Sequence, residues 1–389
     1  MFLWAIVMLF TVASCECAPS NADIQSFNEA LTVTLSGVGR IQRVLNDSSG
    51  GLILVSHEVL SRLDNSLKVD FSFGQQGSTL MSGFLHDAVI DTNGRYVVLG
   101  CRRKELGGDQ MFLRRYLQSG VADPSFGDGG TVYFDDHGDD FRPIRVFVLP
   151  NGEIEVVGTH NPSDTDDVFV ARFADEGKPI ASFGSAGVRY LDPLPHEKKL
   201  ISNGELEGDG AVVVVGYVSG STEGVFVTRV TANGTLDATF GMNGTTYIAR
   251  VVERVTMAID SQRRITIIGQ SYDTRSFFVT RLDADGEVDN TWGAMARAKE
   301  GDVITAMAIR EEVFAVGERT FDTTTKAMLE VFAPDGSPDT SVGTAGVWIG
   351  DYNDWSPSAL TFNVAGNLIV VGQGSTNVVI QRLARFRYD

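Results

Sequence analysis

The densest group of residues that could do chemistry in this chain is acidic and falls in two nearby segments. Four aspartates lie between positions 135 and 140, and three more lie between positions 164 and 167. Carboxylate oxygens are the hard ligands that Ca²⁺ takes, so these segments predict a calcium site, and no other cofactor is predicted. Acidic runs are also typical of solvated loops, and this alternative stays open. The candidate ligands are Asp135, Asp136, Asp139, Asp140, Asp164, Asp166 and Asp167.

A second set of charged residues recurs along the chain at regular places. Six arginines could form a cationic ring that holds an anion: Arg62, Arg115, Arg172, Arg229, Arg281 and Arg382. In most copies an aspartate follows the arginine eight residues later, and the arginine ends a run that reads as a buried strand. Because a buried arginine needs a partner, we predict that these arginines pin a turn through that aspartate. The aromatic residue after each aspartate is predicted to fill space between neighbouring sheets, at Phe73, Phe126, Phe183, Phe240 and Trp292.

Recognisable catalytic motifs are missing from the sequence. The five histidines are scattered, and there is no HExxH, no G-x-S-x-G elbow, no P-loop and no dinucleotide-binding glycine pattern. The three cysteines, at positions 15, 17 and 101, are too few for a disulfide framework or a cysteine-based zinc site. The sequence therefore favours a non-catalytic protein, although an enzyme that assembles its site from separate loops stays an alternative.

The arginines and aromatic residues belong to a 13-residue segment that is repeated down the chain. Its copies keep their internal spacing while the distance from one to the next varies from 50 to 57 residues. A rigid unit between elastic loops at this period indicates a repeat architecture. The copies are 62–74, 115–127, 172–184, 229–241, 281–293 and 331–343.

Each copy is preceded by two short apolar runs, so that every repeat holds four predicted strands, here called a, b, c and d. A tight turn such as Asn93-Gly94 separates a from b, and supplies the positive φ angles of a two-residue hairpin turn. Strand b is rich in β-branched residues, usually ends in glycine and occurs seven times, as in Val212–Gly216. Strand c ends at the repeat arginine, and d follows the Phe-Gly signature.

Seven four-stranded units predict an all-β fold, a seven-bladed β-propeller of antiparallel blades. The last unit lacks a d-strand, whereas the chain begins with an unpartnered one. We therefore expect Leu31–Leu35 to lie beside Val378–Arg382 and to complete the last blade. An open β-solenoid is the rival fold, but it gives no reason for the two ends to complement each other.

The signature D-x-[ST]-[FW]-G-x-x-G after a c-strand of the form F-x-x-x-R resembles the delta-60 repeat of bacterial extracytoplasmic proteins. The resemblance covers about residues 24–389 and implies a propeller without implying an activity. The chain departs from the pattern at Ile180, Ala296, Val331 and Val342. We expect residues 22–389 to form one propeller domain of seven such repeats.

Residues 1–17 read as an export signal because an apolar run of 14 residues opens the chain. Val12–Cys15 also fits a lipobox, in which Cys15 would be acylated, although the segment carries no lysine or arginine. Plain secretion and lipidation both stay open. Either predicts an extracytoplasmic protein that is secreted, periplasmic or lipid-anchored at the cell surface.

The formal net charge of −18 argues against nucleic-acid binding, and we expect a monomer that meets a membrane only through a lipid anchor. The b–c and d–a loops vary in length and share one face, where binding sites on rigid scaffolds usually lie. The leading interpretation is an exported, non-catalytic scaffold that binds a protein or glycan there. One alternative is a hydrolase or lyase on a glycan or lactone, with Ca²⁺ on the acidic loops and His137 or His160 at the channel mouth. The other is a structural envelope protein.

Overall fold

The computed structural model describes residues 30–31, 38–103, 109–134, 140–161, 167–195, 197–219, 223–271, 276–292, 295–297, 302–310, 312–321, 324–353, 355–374 and 378–383. Within these ranges the chain forms 28 β-strands and no helix. Accordingly, none of these ranges contains a helix that could cross a membrane.

In chain order the strands are β1 (Ala30–Leu31), β2 (Ile41–Asn46), β3 (Leu52–Ser56), β4 (Val59–Leu63), β5 (Ser78–Leu80), β6 (Phe84–Ile90), β7 (Tyr96–Arg103), β8 (Asp109–Tyr116), β9 (Thr131–Phe134), β10 (Asp140–Val148), β11 (Ile154–Asn161), β12 (Asp167–Phe173), β13 (Val188–Leu191), β14 (Lys198–Leu206), β15 (Val212–Ser219), β16 (Gly224–Val230), β17 (Thr245–Ile248), β18 (Arg254–Ile259), β19 (Ile265–Ser271), β20 (Ser276–Leu282), β21 (Met295–Arg297), β22 (Asp302–Ile309), β23 (Val313–Phe321), β24 (Thr324–Phe332), β25 (Val347–Asn353), β26 (Ser356–Phe362), β27 (Leu368–Gln373) and β28 (Val378–Leu383).

These strands form seven antiparallel sheets of four strands each. Blades 1 to 6 take successive sets of four from β2 to β25, and blade 7 contains β26, β27, β28 and β1. The first strand of every blade contacts the first strand of the next blade, and β26 contacts β2, so the inner strands close a ring around a central channel. The predicted seven-bladed β-propeller is confirmed, and the predicted strands a to d are the four strands of each blade in order.

The N-terminal strand pairs with the last blade over a short stretch. Ala30 lies opposite Gln381 and Leu31 opposite Ile380, in antiparallel register. Residues 32–37, which hold most of the predicted closing strand, lie outside the described residues. Closure through a longer N-terminal strand therefore stays a prediction, whereas the contact between β2 and β26 joins the first and last blades independently of it.

In blades 2 to 5 the glycine that ends the b-strand is required by an aromatic ring on the neighbouring c-strand. Gly158 lies opposite Phe169, and Gly216 lies opposite Phe226. A Cβ atom on Gly158 would stand 2.6 Å from the ring of Phe169, which is closer than carbon atoms can approach. The b-strand glycine and the c-strand aromatic of the repeat are therefore two halves of one packing contact.

The a–b turns differ from the predicted two-residue hairpins. In blade 2 the Gly94 amide donates to the Asp91 carbonyl (2.9 Å), and Asp91 Oδ1 accepts from the amides of Asn93 and Arg95 (2.8 Å each). Gly94 has a φ of 74°, whereas Asn93 has no positive φ. The prediction of a two-residue turn is wrong, because a longer loop forms around the aspartate side chain that precedes it.

In blades 2, 4 and 5 the repeat arginine joins its own blade to the next one, through contacts that we call the latch. In blade 4, Arg229 Nε donates to Asp237 Oδ2 (2.7 Å), the aspartate eight residues later. Its Nη1 donates to the carbonyl of Ala284 in the c–d turn of blade 5 (2.5 Å). The guanidinium carbon also lies 4.8 Å from the ring centroid of Phe240. One cation thus holds its own turn, its own aromatic residue and the neighbouring blade.

Backbone contacts and packing strengthen the same junction. The amide of Gly241 donates to the carbonyl of Asp285 in blade 5 (2.7 Å). Phe240 is fully buried, and a Cβ atom on Gly286 of blade 5 would lie 2.8 Å from its ring. The aromatic residue therefore packs directly against the backbone of the next blade. Two further latches have the same form. In blade 2, Arg115 donates to Asp123 (2.7 Å) and to the Asp175 carbonyl (2.5 Å), and its guanidinium carbon lies 4.7 Å from the ring centroid of Phe126. In blade 5, Arg281 donates to Asp289 (2.6 Å) and to the Pro334 carbonyl (3.1 Å), and its guanidinium carbon lies 5.3 Å from the ring centroid of Trp292.

Blade 3 replaces the aspartate of the latch. Arg172 has Ile180 eight residues later, and it pairs instead with Glu155, which lies directly across the sheet on β11. Arg172 still stacks on its own aromatic residue, 4.3 Å from the ring centroid. Arg382 lies in blade 7, opposite Ile369 on β27.

The first and sixth blades differ in other ways. Arg62 bonds to Asp47 of the a–b turn (2.8 Å) as well as to Asp70, the residue eight positions later (3.2 Å). In blade 6, Val331 and Val342 replace the arginine and the aromatic residue, and both are fully buried in one apolar cluster. Apolar packing thus takes the place of the charged latch in that blade.

We expect Arg229→Gln to lower the free energy of unfolding by about 2–4 kcal/mol, because it leaves Asp237 without its cation and removes the bond to blade 5. Denaturant unfolding followed by intrinsic fluorescence measures the change. Arg264→Gln is the control, since Arg264 pairs with Asp260 inside a single turn and its side chain is 32 % exposed. It should cost about 1 kcal/mol or less. Equal losses in the two variants would contradict a special role for the latch.

Candidate functional site

The two ends of the channel carry different structures. One face, which we call the latch face, holds the a–b turns and the c–d turns, and all the latches lie there. The opposite face, which we call the mouth face, holds the b–c and d–a loops. On the mouth face the channel opens into a cavity of about 410 Å³, called here the mouth cavity. Residues of blades 1, 4, 5, 6 and 7 line it, so it lies across the ring and belongs to no single blade.

A one-residue bulge near the start of the inner strand shapes the mouth cavity. The register of the a–b pair shifts by one residue in six of the seven blades. A bulge leaves its extra residue unpaired and redirects the side chain, which is why bulges are common beside binding sites. The bulged residues are Gln42, His86, Ile144, Ser202, Thr305 and Ser358, and four of them, Gln42, Ser202, Thr305 and Ser358, line the mouth cavity.

Sequence reasoning missed these positions, although a signal exists. When the blades are aligned on their b-strands, the bulge position is polar in five of the six bulged strands. A polar residue at a fixed place in a strand that packs against two neighbouring blades is the pattern that could have indicated a shared site.

Two amide oxygens at the mouth cavity are buried without a protein partner in the part of the chain that the structure describes. Gln270 follows the b-strand glycine of blade 5, and its side-chain oxygen, Oε1, has no bond there. Gln42 Oε1 also has no hydrogen-bond partner among these residues, although Gln42 Nε2 lies 2.8 Å from His57 Nδ1. Buried polar groups in proteins are nearly always hydrogen-bonded, so these oxygens call for a ligand or an ordered water.

The charge of the mouth cavity is opposite to that of the chain. Arg40 and Arg254 line it, and no carboxylate does so among the described residues. Arg40 and Arg254 are exposed on different blades, at the entry to β2 and at the start of β18. A site with cationic groups in a protein of net charge −18 offers a local attraction for anions.

Deeper in the channel, a chain of charges links four successive inner strands. Arg43 of blade 1 bonds to Asp87 of blade 2 (2.7 Å), which also contacts Arg145 of blade 3 (3.4 Å). Arg145 in turn lies 3.7 Å from Glu205 of blade 4. The Val146 amide donates to Asp87 Oδ2 (2.9 Å). Asp87 is 1 % exposed, and this burial raises its pKa to about 6 against the opposing effect of Arg43.

The predicted calcium ligands lie mostly outside the described residues. Asp140 lies opposite Asn161, and Asp167 opposite His160, so the two acidic loops start from adjacent strand ends of blade 3. Among the described residues there is no group of three or more His, Cys, Asp or Glu that could hold a metal ion. The predicted residues that lie outside the described ranges are Asp135, Asp136, Asp139, Asp164, Asp166, His137 and Cys15.

His160 is not placed where the hydrolase alternative requires it. Its ring lies between those of Phe141 and Tyr190, with centroids 4.7 Å apart in each case, and the residue is 6 % exposed. It does not line the mouth cavity, so the expectation for His160 is wrong. The described histidine at the cavity is His57, which sequence reasoning did not single out.

Comparison with known proteins agrees with the propeller fold. A family model described as a domain of unknown function (DUF5122), beta-propeller, matches residues 207–240, which form part of blade 4. The match supports a propeller repeat, and the delta-60 name stays a prediction. A search of curated proteins found no match.

Solved structures resemble the chain in fold over most of its length. Drosophila Semaphorin 2a has a TM-score of 0.56 at 8 % identity, covering 91 % of this chain and 75 % of that one. A PL25 ulvan lyase has a TM-score of 0.49 at 10 % identity (90 % and 94 % covered), and a glucose dehydrogenase one of 0.47 at 10 % identity (92 % and 99 % covered). At such identities the likeness shows the fold alone.

The pKa of Asp87 predicts a specific pH dependence of stability. The folded-state pKa of Asp87, about 6, exceeds its usual value of 3.8. The protonated carboxyl group of Asp87 therefore stabilises the fold fully at a pH below 3.8, and this stabilisation is lost as the pH rises through 6. We expect the free energy of unfolding of the wild type, relative to that of Asp87→Asn, to fall by about 2 kcal/mol between about pH 4.5 and about pH 7.5. Asp128→Asn, at an exposed position, is the control and should show no such trend. A difference that does not change with pH would contradict this assignment.

Proposed function

We propose that this protein is a non-catalytic binding scaffold and that the mouth cavity is its binding site. The observation that carries the proposal is a cavity of about 410 Å³ lined by bulged polar residues from four separate blades. Ligand pockets usually enclose about 300–1,000 Å³ and hold a few convergent polar groups on a rigid frame. The mouth cavity has this size and this kind of lining.

The structural difference between the latch face and the mouth face supports the proposal. On the latch face, the turns of neighbouring blades bond to each other through arginines such as Arg115 and Arg229. The mouth face carries the loops that vary in length, so its groups are available for contacts with other molecules. The cavity is lined by hydrogen-bonding and cationic groups together with apolar side chains such as Ile41 and Val255, which suits holding a ligand.

A catalytic role is the second candidate, because the two acidic loops start from adjacent strand ends of blade 3. The likeness to solved propellers does not choose between binding and catalysis, since one fold serves many functions. In this alternative the acidic loops of blade 3 would hold Ca²⁺ and supply the acid–base groups.

We further propose that the protein works outside the cytoplasm as a monomer, after removal of residues 1–17 or lipidation at Cys15. Intact mass and N-terminal sequencing of the protein purified from its source separate these two cases. A chain that retains its first residues would contradict export by a cleaved signal.

Filling the cavity should abolish binding without unfolding the ring. We expect Ser358→Phe and Ser202→Phe to weaken the best ligand from an oligosaccharide microarray at least about tenfold, as each ring would occupy the ligand's space. Isothermal titration calorimetry measures affinity, and the melting temperature reports folding. Ser48→Phe, in an exposed a–b turn on the latch face, is the control. Unchanged binding in both cavity variants would refute this site, and product formation during long incubation would show an enzyme.

The calcium interpretation has its own test. If the acidic loops bind Ca²⁺ only in the folded protein, excess Ca²⁺ should raise the melting temperature. The corresponding gain in the free energy of unfolding is about 2.7 kcal/mol when the Ca²⁺ concentration is a hundred times Kd. The double substitution Asp136→Asn with Asp166→Asn should remove this response, whereas Asp128→Asn should keep it. A wild-type melting temperature that neither Ca²⁺ nor EDTA changes would remove the calcium hypothesis.

A further inference from the structure

The orientation of the Gln270 amide group defines what it needs from a ligand. Gln270 Nε2 lies 2.9 Å from the carbonyl oxygen of Asp302, which can only accept a hydrogen bond. The NH₂ group must therefore face Asp302, and Oε1 is the end that has no protein partner among the residues the structure describes. The residue is 3 % exposed and lines the mouth cavity. An unsatisfied buried acceptor destabilises the folded protein, so this oxygen calls for a hydrogen-bond donor.

A second acceptor lies in blade 1. Gln42 occupies the bulge of β2, and its Oε1 is likewise buried without a protein partner in the described ranges. Gln42 and Gln270 both line the mouth cavity although they belong to different blades. A ligand that satisfies both must offer donors at more than one place. Hydroxyl groups along a sugar ring or chain have this property.

The cationic groups call for the opposite chemistry. Arg254 lies directly opposite Gln270 in the β18–β19 pair, and Arg40 precedes the bulge that holds Gln42. A guanidinium only donates, and its fork fits a carboxylate or a sulfate in a bidentate manner. Each unsatisfied amide oxygen therefore has a cation close to it in the sequence or across the sheet.

Three hydroxyl groups from three further blades line the same cavity, at Ser202, Thr305 and Ser358. The Thr305 hydroxyl donates to the Pro357 carbonyl (2.7 Å) and the Ser358 hydroxyl to the Val371 carbonyl (3.5 Å), so these two can accept from a ligand. The Ser202 hydroxyl can donate or accept. An inorganic anion would leave the amide oxygens without donors, and a neutral sugar would offer no charged acceptor to the guanidinium groups that line the cavity.

We propose that the mouth cavity binds an acidic saccharide, in which sugar hydroxyls donate to Gln42 and Gln270 while a carboxylate or sulfate group is held by Arg40 and Arg254. This inference rests on the proposed function and names the ligand class of the same site. The carboxylate and the sulfate share one chemistry, and the experiment distinguishes them.

The test is isothermal titration calorimetry of the mature full chain with four probes: a uronic-acid oligosaccharide, a sulfated oligosaccharide, a neutral oligosaccharide of the same length, and inorganic sulfate. At least one acidic oligosaccharide should bind about tenfold or more tightly than the neutral one, because hydrogen bonds to a charged group are stronger than those between neutral groups. Inorganic sulfate should bind more weakly than the acidic oligosaccharide, since it lacks the donors. The better acidic probe identifies the anionic group.

Two pairs of variants locate the interaction. The double substitution Arg40→Gln with Arg254→Gln should weaken the acidic probe about tenfold or more and leave the neutral probe within about twofold. Arg250→Gln is the matched control, because Arg250 is exposed and does not line the cavity. Gln270→Leu should weaken the acidic and the neutral probe alike. Its control is Gln373→Leu, at the equivalent position after the b-strand glycine of blade 7, whose Oε1 also lacks a protein partner but which does not line the cavity.

The outcomes separate this inference from the proposed function. If neutral and acidic probes bind equally and the arginine variants bind like the wild type, the inference fails while a cavity-blocking effect of Ser358→Phe still supports the site. If Ser358→Phe has no effect on a bound probe, the proposed site fails with it. If Gln270→Leu raises stability and leaves binding unchanged, the amide oxygen serves an ordered water only, and the assigned role of Gln270 is overturned. Absence of binding by every probe refutes a saccharide ligand.

Discussion

The bond from a c-strand guanidinium to the backbone of the following blade, formed in blades 2, 4 and 5, joins the blades on whose packing the rest of the structure depends. A blade of four short strands buries its faces only against neighbouring blades. Arg115 and Arg229 each bond to the aspartate eight residues later, stack on their own aromatic residue and donate to a carbonyl of the next blade. A buried cation needs such partners, and removing any of them leaves a charge in an apolar junction. The same few contacts therefore stabilise a turn and set the distance between two blades.

Because these contacts lie at one end of the channel, the other end is free to vary. The inner strands reach the mouth face with a one-residue bulge, which directs Gln42, Ser202 and Ser358 into a shared cavity. Below them the charges of Arg43 and Asp87 tie neighbouring inner strands together. A rigid ring with polar groups converging at one end suits recognition of a ligand by several blades at once, and it needs no single blade to carry a complete site.

The repeat could be predicted because its cause is local in sequence. The arginine and its aspartate are eight residues apart, and β-branched runs such as Val212–Val215 mark each b-strand. The cavity could not be predicted in the same way. A bulge at Ser358 depends on the register with β27, and Gln270 reads as an ordinary strand residue until Asp302 of the next blade fixes its amide. Arg172 shows the same limit, since its partner Glu155 lies across the sheet and not along the chain. The place of His160 was predicted wrongly, because its ring packs between those of Phe141 and Tyr190 within the blade and the sequence does not show these contacts.

Native-state hydrogen exchange of the glycine amides at the blade junctions tests the central claim most directly. The amides of Gly127 and Gly241 donate to carbonyls of the next blade, at 3.0 Å and 2.7 Å, although both glycines lie in turns. If the latch holds the ring together, these two amides should be protected as strongly as the amide of Val214 in a central strand and should exchange only when the ring opens globally. Exchange of Gly127 and Gly241 through local fluctuations, as fast as that of the Gly210 amide in a turn within one blade, would contradict the account.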